Sequence, residues 1–232
     1  MKVKQFRYSA DNLGYLIYGE RYALAIDGGA ADQMLSFMER HRLELKILTN
    51  THSHGDHTCG NKELAAATEA EFINVGELPS RGTLPLEKSR IEIIHTPGHT
   101  ADSVCFHVDG ILISGDTLFN GKVGRCGAGD IRTFYESIGK LLELPGDTVI
   151  YAGHDYVEEY LEFARMVEPA NSCIDTYLRS YDPAFVFASL VDELKVDPFL
   201  RLSEPSVISF LKHRDLPVST EYQRWESLMS LM

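Results

Sequence analysis

Alternating and periodic apolar positions predict a chain that begins as β-sheet and ends as helix. Strands are predicted at 3–7, 14–18, 22–26, 45–48, 72–75, 91–95, 103–108, 111–114 and 148–152. Between them, a helix is predicted at 31–41, and a second one begins at Asp130, a residue type that caps helix N-termini. Strands that alternate with amphipathic helices indicate sheet layers covered by helices.

The sequence after residue 156 has a different pattern. Its apolar positions follow helical spacing, no strand signal returns, and Thr220 and Gln223 have the spacing of a capping box for a last helix. We therefore predict an α+β chain with two parts. Residues 1–156 would form a catalytic sandwich of sheet and flanking helices, and residues 157–232 a helical region that packs on it.

Charge and composition narrow the function classes. A formal charge of −12 disfavours binding to nucleic acid, because that affinity depends on Lys and Arg neutralising phosphates. The sequence has no long apolar run that would indicate a membrane span or a signal peptide. Its four cysteines are widely separated and lack Cys-x-x-Cys pairing, which favours reduced thiols. We expect a cytoplasmic protein that acts on a small molecule, without nucleic-acid or membrane partners.

The strongest chemical signal is a polar cluster directly after the strand predicted at 45–48. His52, His54, Asp56 and His57 place four potential metal ligands within six residues. Clustered His and Asp are common ligands of zinc, iron and manganese. A solvated polar loop is the alternative interpretation of this segment.

Three more candidates each follow a predicted strand: His99, Asp116 and His154. Taken singly, such a residue is more often a hydrogen-bonded turn residue than a ligand. Strands of one sheet place their ends along one rim, so these loops can converge on the first cluster. Seven ligands suffice for two divalent cations and leave coordination positions open, as in a catalytic site. Hydroxide between two such cations is a nucleophile near neutral pH, which predicts a hydrolase.

The motifs that carry these residues are THSHGDH at 51–57, HTPGHT at 95–100, GDTLF at 115–119 and AGHDY at 152–156. They resemble the metallo-β-lactamase-fold hydrolases and, within them, glyoxalase II (hydroxyacylglutathione hydrolase). The segments FARMVEP at 163–169 and DPFLR at 197–201 extend the resemblance into the helical region.

The resemblance implies an αββα sandwich and a two-metal thioester hydrolase, with zinc as the first choice of metal and iron or manganese as alternatives. It implies that His52, His54 and His99 hold one metal ion. Asp56, His57 and His154 would hold the other, with Asp116 bridging both. Asp56 and Asp116 would be the catalytic carboxylates, because Asp56 could also orient the attacking hydroxide.

The resemblance also implies that Arg125, Tyr156 and Arg224 bind the thiol half of the substrate. The sequence departs from the family pattern at Gly127, where an aromatic residue is expected, and after Arg224, where a second cation is absent. Alternatives of the same fold remain open: a mononuclear-iron persulfide dioxygenase, and a lactonase or β-lactamase-like hydrolase. A metal-bearing interaction module without turnover is a further alternative.

Overall fold

A computed structural model describes all 232 residues and contains two β-sheets. The first sheet has the order β1-β2-β3-β4-β5 and contains β1 (Lys2–Tyr8), β2 (Asn12–Tyr18), β3 (Tyr22–Ile26), β4 (Glu44–Thr49) and β5 (Glu71–Phe72). Strands β1 to β3 are antiparallel, whereas β4 runs parallel to both β3 and β5. Strand β2 is buried along nearly its whole length because this sheet is covered on both faces.

The second sheet has the order β11-β10-β9-β8-β7-β6. It contains β6 (Thr83–Leu86), β7 (Ser89–His95), β8 (Val104–Val108), β9 (Ile111–Gly115), β10 (Val149–Ala152) and β11 (Ala188–Ser189). Strands β8 and β9 form a hairpin whose turn residues, Asp109 and Gly110, both have positive φ. This conformation is that of the tight turn that the Asp-Gly pair predicts.

Helices cover the outer faces of both sheets. The first part of the chain contains α1 (Ala31–His41), α2 (Gly55–Thr58), α3 (Asn61–Ala67), α4 (Leu78–Arg81) and α5 (Ile131–Leu142). The C-terminal region contains α6 (Val157–Val167), α7 (Cys173–Ser180), α8 (Leu190–Val196), α9 (Pro205–Lys212) and α10 (Glu221–Met229). Short 3-10 turns lie at Val75–Glu77 and Pro198–Leu200.

Three buried clusters show the layer order. The central cluster joins the facing sides of the two sheets, for example Ile17 with Phe106. A second cluster packs α1 on the outer face of the first sheet, and a third packs α5 and the C-terminal helices on the outer face of the second. Burial of these apolar side chains is the main force that holds the layers together. The αββα sandwich with a C-terminal helical region is therefore confirmed.

Helices α2, α3 and α4 were not predicted, and three strands differ from the predicted ones. Strand β5 ends at Phe72, before the predicted end, because the Asn74 side chain accepts from the Gly76 amide and starts a turn. Strand β6 was not predicted; it lies at a sheet edge and contains Pro85, which weakens its strand signal. Strand β11 returns in the C-terminal region, where only helices were expected, and pairs with β10.

A buried polar cluster joins the C-terminal region to the sandwich. Glu193 on α8 is fully buried and accepts from the Tyr177 hydroxyl, the Asn120 side chain and the Gly121 amide. Burial raises the pKa of Glu193 to about 7, against the lowering effect of these three donors. None of the helices has the length and apolar character that a membrane-spanning helix requires.

Candidate metal centre

The seven candidate ligands lie on four loops at one end of the sandwich. His52, His54, Asp56 and His57 follow β4 of the first sheet, and α2 carries the last two of them. His99 follows β7, Asp116 follows β9 and His154 follows β10, all strands of the second sheet. The sequence predicted that these strand ends lie on the rim of one sheet. In the structure, the four loops instead meet where the ends of two facing sheets come together.

Three histidine rings form the first half of the centre. Nε2 of His52 lies 2.9 Å from Nδ1 of His54, and Nε2 of His99 lies 3.0 Å from the same atom. Nitrogen ligands of one tetrahedral zinc ion stand about 3.3 Å apart, given a metal–nitrogen distance of about 2.0 Å. His52 is buried, whereas His54 is exposed, so this half opens to solvent on one side.

Asp56, His57 and His154 form the second half. Nε2 of His57 lies 3.1 Å from Nε2 of His154. Oδ2 of Asp56 lies 3.5 Å from the His57 nitrogen and 3.4 Å from the His154 nitrogen. Both histidines are buried, and the Asp56 side chain is 48% exposed, so the carboxylate forms the open side of this half.

Asp116 lies between the two halves. Its Oδ2 is 3.5 Å from Nε2 of His99 and 3.5 Å from Nε2 of His154, and its Oδ1 is 3.4 Å from Nε2 of His57. Asp116 is 7% exposed, and its Oδ1 has no hydrogen-bond partner. A buried carboxylate oxygen without a partner is costly, and a cation is the partner that this environment lacks.

Carboxylates fix the ring orientation of the two histidines in the second half. Nδ1 of His57 donates to Oδ2 of Asp27 over 3.0 Å, and Nδ1 of His154 donates to Oδ1 of Asp11 over 3.0 Å. The other ring nitrogen, Nε2, then faces the centre in both histidines and is the atom that would bind a metal ion. Such carboxylate–histidine pairs also make the ligand nitrogen more basic.

Neutral oxygens take the same role in the first half. Nδ1 of His99 donates to the Arg125 carbonyl over 3.1 Å, and Nδ1 of His52 lies 3.1 Å from the Thr51 hydroxyl. The two halves therefore differ in the charge of the groups that orient their ligands.

The pKa shifts follow from burial and from these carboxylates. Burial lowers the pKa of His52 to about 4, so its ring is neutral and can ligate. Burial also disfavours charge on His57, but Asp27 and Asp116 outweigh burial and raise the pKa of His57 to about 11. Burial would raise the pKa of Asp116, yet the neighbouring rings of His154 and His57 hold that pKa well below its ordinary value. The negative field that favours a proton here also favours a metal cation.

The donor set fits two divalent cations. Seven side chains converge in two groups with one shared carboxylate, and every histidine presents a ring nitrogen to its own group. Nitrogen and carboxylate donors of this kind suit zinc, iron and manganese. Three donors and a shared oxygen leave room for solvent or substrate at each ion.

Asp27, which orients the His57 ring, was not among the residues predicted from the sequence. Asp27 itself has the positive φ of 54°, whereas Gly28 and Gly29 do not have positive φ. Both glycines are needed for lack of space. An added Cβ would lie 2.3 Å from the Leu64 side chain at Gly28 and 2.2 Å from the Tyr8 ring at Gly29. The Asp-Gly-Gly turn directly after β3 was the available signal.

The three predicted substrate-binding residues have different positions. Tyr156 stacks on the His154 ring with centroids 5.0 Å apart, and burial raises the pKa of Tyr156 to about 12. Arg125 is exposed and lies beside the first half, because its carbonyl accepts from His99. Arg224 donates to the Val218 carbonyl, so this contact lies within the C-terminal region and not at the metal centre.

The loop that contains Arg125 has no room for an aromatic side chain at Gly127. An added Cβ there would lie 2.6 Å from the His99 carbonyl oxygen. In this conformation, the position that departs from the family pattern must therefore be glycine.

Comparisons with known proteins show the family of this chain. Residues 12–89 and 79–154 match the metallo-beta-lactamase superfamily, and residues 155–230 match the C-terminal region of hydroxyacylglutathione hydrolases. A hydroxyacylglutathione hydrolase from a Polaromonas species is 36% identical over 89% of this chain and 88% of its own length. The chain belongs to the hydroxyacylglutathione hydrolase family. Another relative of that name, from Methylobacillus flagellatus, is 32% identical over 87% of this chain and 88% of its own.

Solved structures with the same fold are more distant in sequence than these hydroxyacylglutathione hydrolases. ETHE1 from Myxococcus xanthus superposes with a TM-score of 0.69 at 21% identity, covering 99% of this chain and 90% of its own. A metallo-beta-lactamase from Staphylococcus aureus gives 0.66 at 21% identity, covering 97% and 71%. These likenesses support the fold.

Proposed function

We propose that this protein is a glyoxalase II-like thioester hydrolase that uses two metal ions. The observation that carries the proposal is the pair of donor groups that share Asp116 at an open rim. Membership of the hydroxyacylglutathione hydrolase family supports a thioester of a small thiol as the substrate. Hydrolysis would release a carboxylate and the free thiol.

In this proposal, His52, His54 and His99 hold one metal ion, and Asp56, His57 and His154 hold the other. Asp116 would be shared by both ions. When bound, the two cations would polarise the thioester carbonyl and lower the pKa of solvent to near neutral. Zinc is the proposed metal, and the same donors would also accept iron or manganese.

The protein's own residues orient the reactants. The contacts of Asp56 engage its Oδ2, so Oδ1 is free to accept a proton from solvent at the open side of the centre. We assign Asp56 and Asp116 as the catalytic carboxylates on this basis. Tyr156, whose ring stacks on His154, keeps its hydroxyl proton at neutral pH and can donate to a substrate oxygen.

Arg125 and Arg224 are the proposed contacts for carboxylates on the thiol half of the substrate. The exposed position of Arg125 beside His99 supports this role more directly than the position of Arg224 does. The charge of −12 supports a small-molecule substrate over nucleic acid. A cytoplasmic location is proposed from the four free cysteines.

Assays with a substrate panel test the proposal. The zinc-loaded protein should hydrolyse a glutathione thioester faster than a lactone or a β-lactam, and the iron-loaded protein should consume no oxygen with a persulfide. The test variant is Asp56→Asn, which keeps the shape of the side chain but removes its charge. This variant should lose most of the thioesterase activity. Oxygen uptake with a persulfide, or a preference for ring opening, would reject thioester hydrolysis in favour of the other chemistries of this fold.

A further inference from the structure

The β1–β2 turn, defined here as residues 8–13 and so including one end of each strand, makes hydrogen bonds to only one half of the metal centre. Oδ1 of Asp11 accepts from Nδ1 of His154 over 3.0 Å, and Nδ2 of Asn12 donates to Oδ2 of Asp56 over 2.9 Å. Neither side chain contacts the three histidines of the first half. Two of the three ligands in the second half are thus held by consecutive residues of one turn.

The turn is itself fixed to the loops that carry these ligands. The Leu13 amide donates to the Gly153 carbonyl, and the Asp155 amide donates to the Asp11 carbonyl. On the other side, the Tyr8 hydroxyl donates to the backbone carbonyl of Asp56 over 3.1 Å. The turn therefore connects two ligand loops that come from different sheets.

The two side chains act in different ways. Asp11 accepts the Nδ1 proton, which leaves Nε2 of His154 to face the centre and makes that nitrogen more basic. Asn12 is 4% exposed and uses one lone pair of Asp56, which fixes the carboxylate plane while the Asp56 side chain remains half-exposed. Asn12 thus donates a side-chain hydrogen bond that restrains this open carboxylate.

We propose that the β1–β2 turn is the positioning element of the second half of the centre, through Asp11 and Asn12. Loss of either side chain then weakens the binding of the metal ion in the second half and leaves the binding of the other ion unchanged. This proposal rests on the two-metal assignment made above. It adds two positioning residues that do not themselves ligate.

Zinc titration against a competing chelator tests the proposal. The wild-type chain should bind two equivalents. Asp11→Ala and Asn12→Ala should each weaken one equivalent by about 10-fold to 100-fold, the range for groups that orient metal ligands, and leave the other unchanged. Asp11→Asn keeps an acceptor at the same place and should recover part of the affinity.

Ser9→Gly is the matched control. Ser9 belongs to the same turn, is exposed and has a φ of 54°, which glycine adopts without strain. This variant should bind both equivalents normally. Melting of the zinc-free variants should match that of the zinc-free wild type, because the effect proposed is on the ligands and not on the fold.

A double-mutant cycle gives a readout that a general structural role would not produce. His154→Ala should remove the same single equivalent, and adding Asp11→Ala to it should cause no further loss. Equal weakening of both equivalents, unchanged affinity in both turn variants, or additive losses in the cycle would each overturn the proposal. A wild-type chain that binds only one equivalent would instead reject the two-metal assignment and this proposal with it.

Discussion

The loop after β9 contains one buried carboxylate, Asp116, and contacts a second one, Glu193. The pKa values of these two carboxylates are shifted in opposite directions. Asp116 is surrounded by histidines, and its pKa lies below the ordinary value although it is buried. Glu193 is contacted by neutral donors at Asn120, Gly121 and Tyr177, and its pKa rises to about 7.

Burial disfavours both charges, so the neighbours decide the outcome. Neutral hydrogen bonds compensate only part of the cost of removing a carboxylate from water, whereas positive groups can exceed it. The region around Asp116 is therefore suited to hold cations. Glu193, with a pKa near neutral pH, instead joins the C-terminal region to the loop after β9 through hydrogen bonds.

Removing Asp116 should give the largest effect. Asp116→Ala deletes the oxygen donors shared by both halves and should lose both metal ions, together with about a thousandfold or more of kcat/KM. Metal analysis and turnover of the same preparation measure this. Asp147→Asn, at an exposed turn, is the matched control and should keep both. If Asp116→Ala retained two metals and normal turnover, Asp116 would be a turn residue.

Glu193→Gln should show a smaller effect that depends on pH. Because the pKa of Glu193 in the folded chain is about 7, above its ordinary value of 4.5, its ionisation lowers the stability of the fold as pH rises from about 5 to 8. The wild type should lose about 2 kcal/mol relative to the variant between pH 5 and pH 8.

Urea unfolding of both chains at the two pH values measures this difference. Glu136→Gln, an exposed substitution on α5, should show no such pH dependence relative to the wild type. A wild-type-to-variant difference that stays constant from pH 5 to pH 8 would mean that Glu193 remains ionised throughout, like Asp116.

Arg125→Ala should show the smallest effect, because its charge lies in water at the edge of the centre. We expect KM for a glutathione thioester to rise about threefold to tenfold with kcat nearly unchanged, since a solvated contact away from the reacting carbonyl adds uniform binding. Arg224→Ala should behave in the same way. KM for a thioester that lacks the glutathione carboxylates should not change in either variant. Arg90→Ala, at an exposed position, is the control and should leave KM for both substrates unchanged. Equal shifts for both substrates would remove glutathione from the proposal.

The sequence predicted those parts of the fold that have a local pattern. Helix α1 begins and ends at the predicted residues because its apolar face is regular and Arg42 ends it in the left-handed conformation. The capping box at Thr220 and Gln223 is also confirmed. Strands β6 and β11 were missed because a proline interrupts one and the other has only two residues.

The candidate site divides in the same way. The seven proposed ligands stand in dense motifs, which is why the sequence could single them out. Asp11, Asn12 and Asp27 are isolated polar residues in turns, and such residues usually cap or close the backbone. Pairing of β1 with β2, and of that turn with the loop after β10, brings Asp11 and Asn12 to the ligands, and pairing of β3 with β4 brings Asp27 to them.

Strand β11 affects the cooperativity of unfolding and the resistance of the chain to aggregation. It pairs with β10 at the edge of the second sheet, so the C-terminal region closes a strand that would otherwise present free amides and carbonyls. Open strand edges pair with other copies and promote aggregation. A chain cut near residue 156 is therefore expected to aggregate, and the intact chain to unfold in one cooperative transition, because its helical region completes the sheet.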